Sequence, residues 1–195
     1  TYTVAGGTNL IYSYENAKSA NNYGVELDIR KSLDFIGLRN FSLSLNGALI
    51  HSRVNFAKGS RNENRPMQGQ SPYLINAGLF YNNEQQQLVV SLLYNRIGKR
   101  IIGVGRSEGS SASEDNARVP DSYEMPRDVI DLSISKKFGD HLEIKANIRD
   151  LLAQSVSYKQ FDDVTLKNGT SKEVKQITRQ YKPGRNIVLS VTWKF

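Results

Sequence analysis

Residues Gly184 to Phe195 read GRNIVLSVTWKF, and their alternation decides the fold class. Ile187, Leu189, Val191, Trp193 and Phe195 fall on one face of an extended chain, while Val188, Ser190, Thr192 and Lys194 fall on the other. One face is oily and the other mostly polar. A strand of a water-soluble sandwich carries the same pattern, so a single segment does not choose between lipid and water. Repetition does. Several earlier segments of about ten residues alternate in the same way between turn residues, which is the signature of a transmembrane β-barrel.

Composition is compatible with that fold and excludes others. The 195 residues suffice for one sizeable domain and are short for two. Hydrophobic residues make up 38% of the chain and the mean hydropathy is −0.48, with no run near the roughly 20 apolar residues of a membrane helix. A barrel strand needs only about 9 to 11 residues, half of them apolar, so low hydropathy does not count against it. There is no cysteine, hence no disulfide or thiolate metal site. The net charge of +7 raises nucleic acid as a partner. Its Lys and Arg residues are dispersed among Asp and Glu without a basic run or helical stripe, and nucleic acid is set aside. The chain starts at Thr1 without a charged and apolar leader, which leads us to expect either signal-peptide removal or a piece of a longer polypeptide.

Seven segments carry the alternation. Residues 1 to 18 read as a loop with a short strand at Asn9 to Tyr14. The first long strand puts Tyr23, Val25, Leu27, Ile29 and Lys31 opposite Gly24, Glu26, Asp28 and Arg30. After a turn at 34 to 40, a second presents Phe41, Leu43, Leu45 and Leu49; after a polar stretch, a third presents Tyr73, Ile75, Ala77, Leu79 and Tyr81. A fourth runs from Leu88 to about Ile102 and is less clean, because Val89 and Leu93 make its second face apolar. A loop, 103 to 126, has a composition that forbids a core of its own. The fifth strand, with Ile130, Leu132 and Ile134, turns at Gly139 and Asp140 into the sixth, with Leu142, Ile144, Ala146 and Ile148. The long loop 152 to 182 holds two strand extensions, Val156 to Phe161 and Val174 to Tyr181, before the closing strand. Short and long connections alternate, as they do between the periplasmic and extracellular ends of outer-membrane barrels. Charges on the polar face, such as Asp131 and Lys137 beside Glu143, Lys145 and Arg149, suit a wet lumen and would be costly in a dry core.

Three stretches carry a family likeness: RPMQGQSPYLINAGLFYNN (65–83), PRDVIDLSISKKFGDHLEIKANIRDLL (126–152) and ITRQYKPGRNIVLSVTWKF (177–195). They resemble, in order, the C-terminal barrel strands of TonB-dependent outer-membrane receptors. The nearest branch carries a carboxypeptidase-regulatory-like domain and a plug at its N-terminus, and the likeness covers the chain from about Ala20. The resemblance implies an all-β, antiparallel transmembrane β-barrel of 22 strands, of which this chain supplies about the last seven, residues 1–195 being part of one barrel domain. It implies location in the outer membrane of a Gram-negative bacterium, with plug and TonB box outside this chain. The partners it implies are outer-membrane lipid and lipopolysaccharide, the rest of the barrel and its plug, TonB, the barrel-assembly machinery and a surface lipoprotein. An open seven-stranded sheet leaves unpaired edges that lipid does not tolerate, which leads us to expect further chain or a protein holding it.

Candidate sites follow. Trp193 and Phe195 match the family's terminal assembly signal, and equally suit an interfacial aromatic girdle. Arg65, Gln68, Gln70 and Tyr73 belong to a motif expected at the extracellular mouth, where Pro66, Gly69 and Pro72 also fix the entry into the third strand. Arg53, Lys99, Arg100 and Arg106 are candidates for lipopolysaccharide phosphates. No catalytic constellation, cofactor motif or metal-ligand spacing is present: His51 and His141 stand alone, and Gly103, Gly105 and Gly109 lack the spacing of a phosphate loop. Asn168, Gly169 and Thr170 read as a turn rather than a glycosylation site. The function expected is import of a large or scarce nutrient. The alternatives are a barrel segment bound as a client by assembly or export machinery, and a small self-contained barrel of about eight strands.

Overall fold

The computed structural model describes residues 2–4, 10–12, 16–58, 60, 62–105, 119–165 and 170–195. Its strands are β1 (Tyr2–Val4), β2 (Leu10–Tyr12), β3 (Ser19–Ser32), β4 (Phe41–Asn55), β5 (Tyr73–Asn83), β6 (Leu88–Ile97), β7 (Arg100–Gly103), β8 (Ser122–Glu124), β9 (Asp128–Phe138), β10 (Leu142–Arg149), β11 (Val156–Thr165), β12 (Ser171–Tyr181) and β13 (Asn186–Trp193). The one helical element among the described residues is a 3-10 turn at Asp34–Ile36. β1 and β2 pair as an antiparallel ribbon, the second inside the short strand expected there.

Seven strands form one antiparallel wall in the order β13-β10-β9-β6-β5-β4-β3. They are the seven segments whose alternation the sequence displays. Register brings their apolar residues into rows: Leu43, Leu79, Leu92, Leu132, Ile148 and Ile187 stand side by side across six strands. The opposite face carries a row of polar side chains joined by hydrogen bonds. Asn46 donates to Glu26 at 3.0 Å, Asn76 to Asn46 at 3.2 Å and Asn95 to Asn76 at 2.6 Å. Asn46 and Asn76 each use the amide N–H for one neighbour and the carbonyl for another, so the strands are tied sideways as well as through the backbone.

Among the described residues no second layer packs against the apolar face of this wall. Among the described residues only Ile101 and Val156 are buried apolar side chains, whereas Leu49, Leu189, Ile187 and Val25 are more than half exposed. A single layer whose apolar face has no protein partner is what a membrane wall requires, since lipid replaces the second layer. Aromatic residues mark both rims of the apolar band. Phe41 packs on Tyr81 with ring centres 4.8 Å apart at the short-turn end, and Tyr23 stacks on His51 at 4.9 Å at the other. Tyr73 and Tyr81 bound the band on β5. The strand between them is roughly 27 Å long, or roughly 20 Å in height at the usual tilt, near the apolar height of such barrels.

The structure corrects two expectations and adds a finding about the lumen charges. The fourth strand does not run unbroken to Ile102: it stops at Ile97, and Arg100–Gly103 resumes in another sheet after Gly98 and Lys99. The loop 103 to 126 contains a strand, β8, paired on both sides; its residues 106–118 lie outside the described residues, as do Arg106, Gly109, Asn168 and Gly169. The lumen charges of β9 and β10 do not form ion-pair ladders. Lys137 stands opposite Glu143, but the Glu143 carboxylate accepts instead from Ser135 at 2.9 Å. The close ion pairs gather at the long-loop end, where the wall breaks.

Candidate functional site: the mouth above the membrane wall

Four strands of the wall continue past a belt of interruptions. β6 leads to β7, β8 leads to β9, β10 leads to β11, and β12 leads to β13. The upper segments form their own sheet in the same lateral order, β12-β11-β8-β7 matching β13-β10-β9-β6. The break is local, and the wall resumes above it.

Arginine–carboxylate pairs fill the belt. On the apolar face Arg96 meets Asp128 at 2.6 Å and also donates to the Tyr73 hydroxyl at 3.2 Å, while the Tyr94 hydroxyl donates to Asp128 at 2.7 Å. A charged pair at the edge of an apolar band is held here by two rim tyrosines. Elsewhere in the belt Arg127 meets Asp150 at 2.6 Å, and the Asp150 backbone N–H donates to Asp131 at 2.8 Å. Asp150 has φ 54°, a left-handed conformation that interrupts the strand and turns its N–H toward β9. Leu151 N–H then donates to Ile130, and Arg185 donates to the Leu151 carbonyl at 2.7 Å. The segment Asp150–Leu151 thus ties β9 to the chain entering β13.

Above the belt, cross-strand register aligns Arg100, Glu124, Tyr158 and Arg179 on β7, β8, β11 and β12. Arg100 donates twice to one oxygen of Glu124, at 3.0 and 2.8 Å. The Arg179 guanidinium lies 5.8 Å from the Tyr158 ring centre and 5.1 Å from that of Tyr181. The hydrogen bond with Tyr181 raises the Tyr158 pKa above its ordinary value. A cavity of about 140 Å³ below this row is lined by Arg100, Glu124 and Arg127 together with Asn95, Ile97 and Val129. Asn95 belongs to the polar face, so the row opens on the same side as the asparagine ladder.

A second cluster surrounds Lys99. Its ammonium lies 4.6 Å from the ring centres of both Tyr123 and Phe161, which meet edge-on. Burial, and then the Asp121 carboxylate, raise the Tyr123 pKa. A larger cavity, about 330 Å³, opens beside this clamp between Arg65, Lys99, Asp121 and Glu173.

The segment carrying Arg65, Gln68, Gln70 and Tyr73 lies at this long-loop end of the wall and stitches it. Arg65 bridges Val54 by two backbone hydrogen bonds and stacks on Phe56 at 4.9 Å. Gln68 donates to the Ile102 carbonyl at 2.9 Å, and Gly69, at φ 81°, donates to Ile101 at 2.8 Å. Gln70 closes the turn onto Met67, and Tyr73 holds Arg96. The segment 65–72 therefore fills the place above β5, between the top of β4 and β7. Of the basic residues considered for lipid phosphates, Arg53 is exposed, Lys99 is clamped and Arg100 is spent on Glu124. Trp193 stacks on His141 at the short-turn rim, and Phe195 is fully exposed beyond β13. Among the described residues no cluster of metal-ligating side chains occurs.

Sequence reasoning missed the pairs themselves. Their only trace is an Arg-Asp doublet at each end of the sharpest alternation, Arg127-Asp128 and Arg149-Asp150. A family model for the TonB dependent receptor-like β-barrel matches residues 1–151. No curated protein sequence and no solved structure matches the chain.

Proposed function

Because the chain belongs to the TonB-dependent receptor-like β-barrel family, a family of outer-membrane receptors and transporters rather than enzymes, we propose that it forms the closing wall of a receptor that imports a large or scarce nutrient. The observation that carries this reading is the two-faced wall, with an apolar row across six strands on one side and an asparagine ladder on the other. Lipid covers the first, and the water and plug of the lumen cover the second. All of residues 1–195 belong to one barrel domain, and the plug and the segment that meets TonB lie elsewhere in the receptor.

The row Arg100, Glu124, Tyr158 and Arg179 stands above the lumen, where an incoming ligand passes first. Arg65, Gln68, Gln70 and Tyr73 shape that mouth by bracing the wall, and a surface lipoprotein would cap it from outside. Lipopolysaccharide meets the apolar face at the long-loop rim, where the exposed Arg53 lies. Deleting the receptor and deleting TonB should abolish growth on the same nutrient; growth that depends on the receptor and not on TonB would refute the reading.

A second reading concerns biogenesis. β13 has an unpaired edge among the described residues, and its final aromatics are exposed, which suits strand addition by the barrel-assembly machinery. Removing Trp193 and Phe195 should then slow insertion while leaving receptor already inserted functional. Unchanged insertion would assign them to the girdle alone.

A further inference from the structure

Three tight turns close the short-turn end of the wall, and one differs in chemistry. The β5–β6 turn is Glu84, Gln85, Gln86 and Gln87, and the β9–β10 turn is Gly139, Asp140 and His141. The β3–β4 turn instead exposes Phe35, Ile36 and Leu38, which are 69%, 58% and 46% accessible. Gly37, at φ 81°, reverses the chain between them without enclosing any of the three. Placing three large apolar side chains in water costs each of them the transfer energy that burial would recover.

Their position says what they meet. Leu33 N–H donates to the Phe41 carbonyl, so the turn begins level with the Phe41–Tyr81 aromatic rim and projects beyond it. One 3-10 turn of three residues rises about 6 Å, and the interfacial layer on each side of a bilayer is roughly 5–8 Å deep. Lys31 stands beside Leu43 on the apolar face of the wall, and its ammonium lies 5.7 Å from the Phe35 ring centre. Phe35 therefore folds to the lipid side. Two cations flank the apolar cluster, Lys31 before it and Arg39 after it, both exposed. Apolar and aromatic side chains framed by cations are what an anionic phospholipid surface attracts.

We propose that the β3–β4 turn is a membrane-interface anchor: Phe35, Ile36 and Leu38 insert into the periplasmic leaflet, and Lys31 and Arg39 bind the phosphates of anionic phospholipids. The proposal rests on assigning the apolar face to lipid, and its test separates the two.

Single nitroxide labels are placed on the full receptor at Ile36→Cys, at Gln86→Cys in the polar turn and at Leu92→Cys in the apolar row. The receptor is reconstituted in vesicles of phosphatidylethanolamine with phosphatidylglycerol, and in phosphatidylcholine. We expect the label at 36 to be relaxed by oxygen like that at 92, and the label at 86 by a water-soluble nickel chelate. In the phosphatidylglycerol vesicles alone, Lys31→Gln with Arg39→Gln should move the label at 36 toward the aqueous relaxant. A label at 36 that behaves like 86 while 92 stays in lipid would overturn the anchor and leave the barrel intact. A label at 36 shielded from both relaxants would also overturn it, in favour of a protein partner or a neighbouring turn. A label at 92 relaxed by nickel would overturn both.

Discussion

Glu124 accepts two hydrogen bonds through a single oxygen from Arg100, and the pair joins two strands that no longer belong to the membrane wall. Arg100 was a candidate for lipopolysaccharide phosphate on its charge alone. Geometry gives that charge to Glu124, so its removal should loosen the mouth rather than weaken lipid association. Both side chains are about one-third exposed, which places the pair near 1 kcal/mol rather than the larger figure for buried charges. Arg100→Gln should therefore speed amide exchange in β7 and β8 by about fivefold, with lipopolysaccharide binding unchanged. Hydrogen exchange of the reconstituted receptor reads both halves of this expectation.

The seven wall strands were legible because each is long enough for period-two alternation to repeat at least four times, as Leu142 to Arg149 shows. The break at Gly98 and Lys99 was not. Gly98, Lys99 and Arg100 lie between Ile97 and the apolar Ile101 and Ile102, so Leu88 to Ile102 still reads as one extended segment with a polar dip. β7 and β8 have four and three residues, too few for any period to register. The mouth was legible only as a place. Pro66, Gly69 and Pro72 marked the entry into the third strand from local chemistry, but Arg96 and Asp128 stand 32 residues apart and Arg127 and Asp150 stand 23 apart. Pairings at that range follow from register, which no local pattern encodes.

Gly98 tests whether the break is a requirement of packing. A β-carbon there would lie 2.8 Å from both the Ser71 hydroxyl and the Tyr73 ring. Tyr73 begins β5 and Ser71 lies two residues before it, buried, with its hydroxyl donating to the Tyr73 carbonyl at 2.7 Å. Overpacking of this kind costs about 1–3 kcal/mol. Gly98→Leu should lower the denaturant midpoint of the folded receptor and release Tyr73 from Arg96, whereas Gly139→Ala, with open space around its β-carbon, should cost only the strain of its φ of 62°. Equal effects at the two glycines would refute the packing argument.

The mouth sheet should weaken in alkali. The Tyr158 hydroxyl has its pKa raised above 10 by the hydrogen bond with Tyr181. The folded state then holds a proton that the unfolded state releases, and stability falls as pH rises between the unfolded and folded values. Below pH 10 the contribution is complete. Among the late-titrating tyrosines seen by tyrosinate absorbance, one should shift to lower pH in Tyr181→Phe, and the alkaline loss of β11–β12 amide protection should shrink with it.

Neighbouring residues on β9 give the sharpest test of the two faces. Leu132 stands in the apolar row between Leu92 and Ile148, and Ser133, the next residue, donates to Asn147 at 2.8 Å on the polar face. The positions share a strand, a depth and a backbone environment, so only the direction of the side chain differs. A lysine among lipid chains near mid-height costs about 2–4 kcal/mol, while one in a wet lumen is solvated and costs little beyond a lost hydrogen bond. Leu132→Lys should therefore lower the unfolding free energy of the lipid-embedded receptor by that amount, and Ser133→Lys by about 1 kcal/mol or less. In a water-soluble sandwich with Leu132 packed inside, transfer from lipid vesicles to a lipid-free buffer would leave the Leu132→Lys penalty in place. In a membrane wall that penalty follows the lipid, because it arises from the hydrocarbon that Leu132 touches and not from any protein layer behind it.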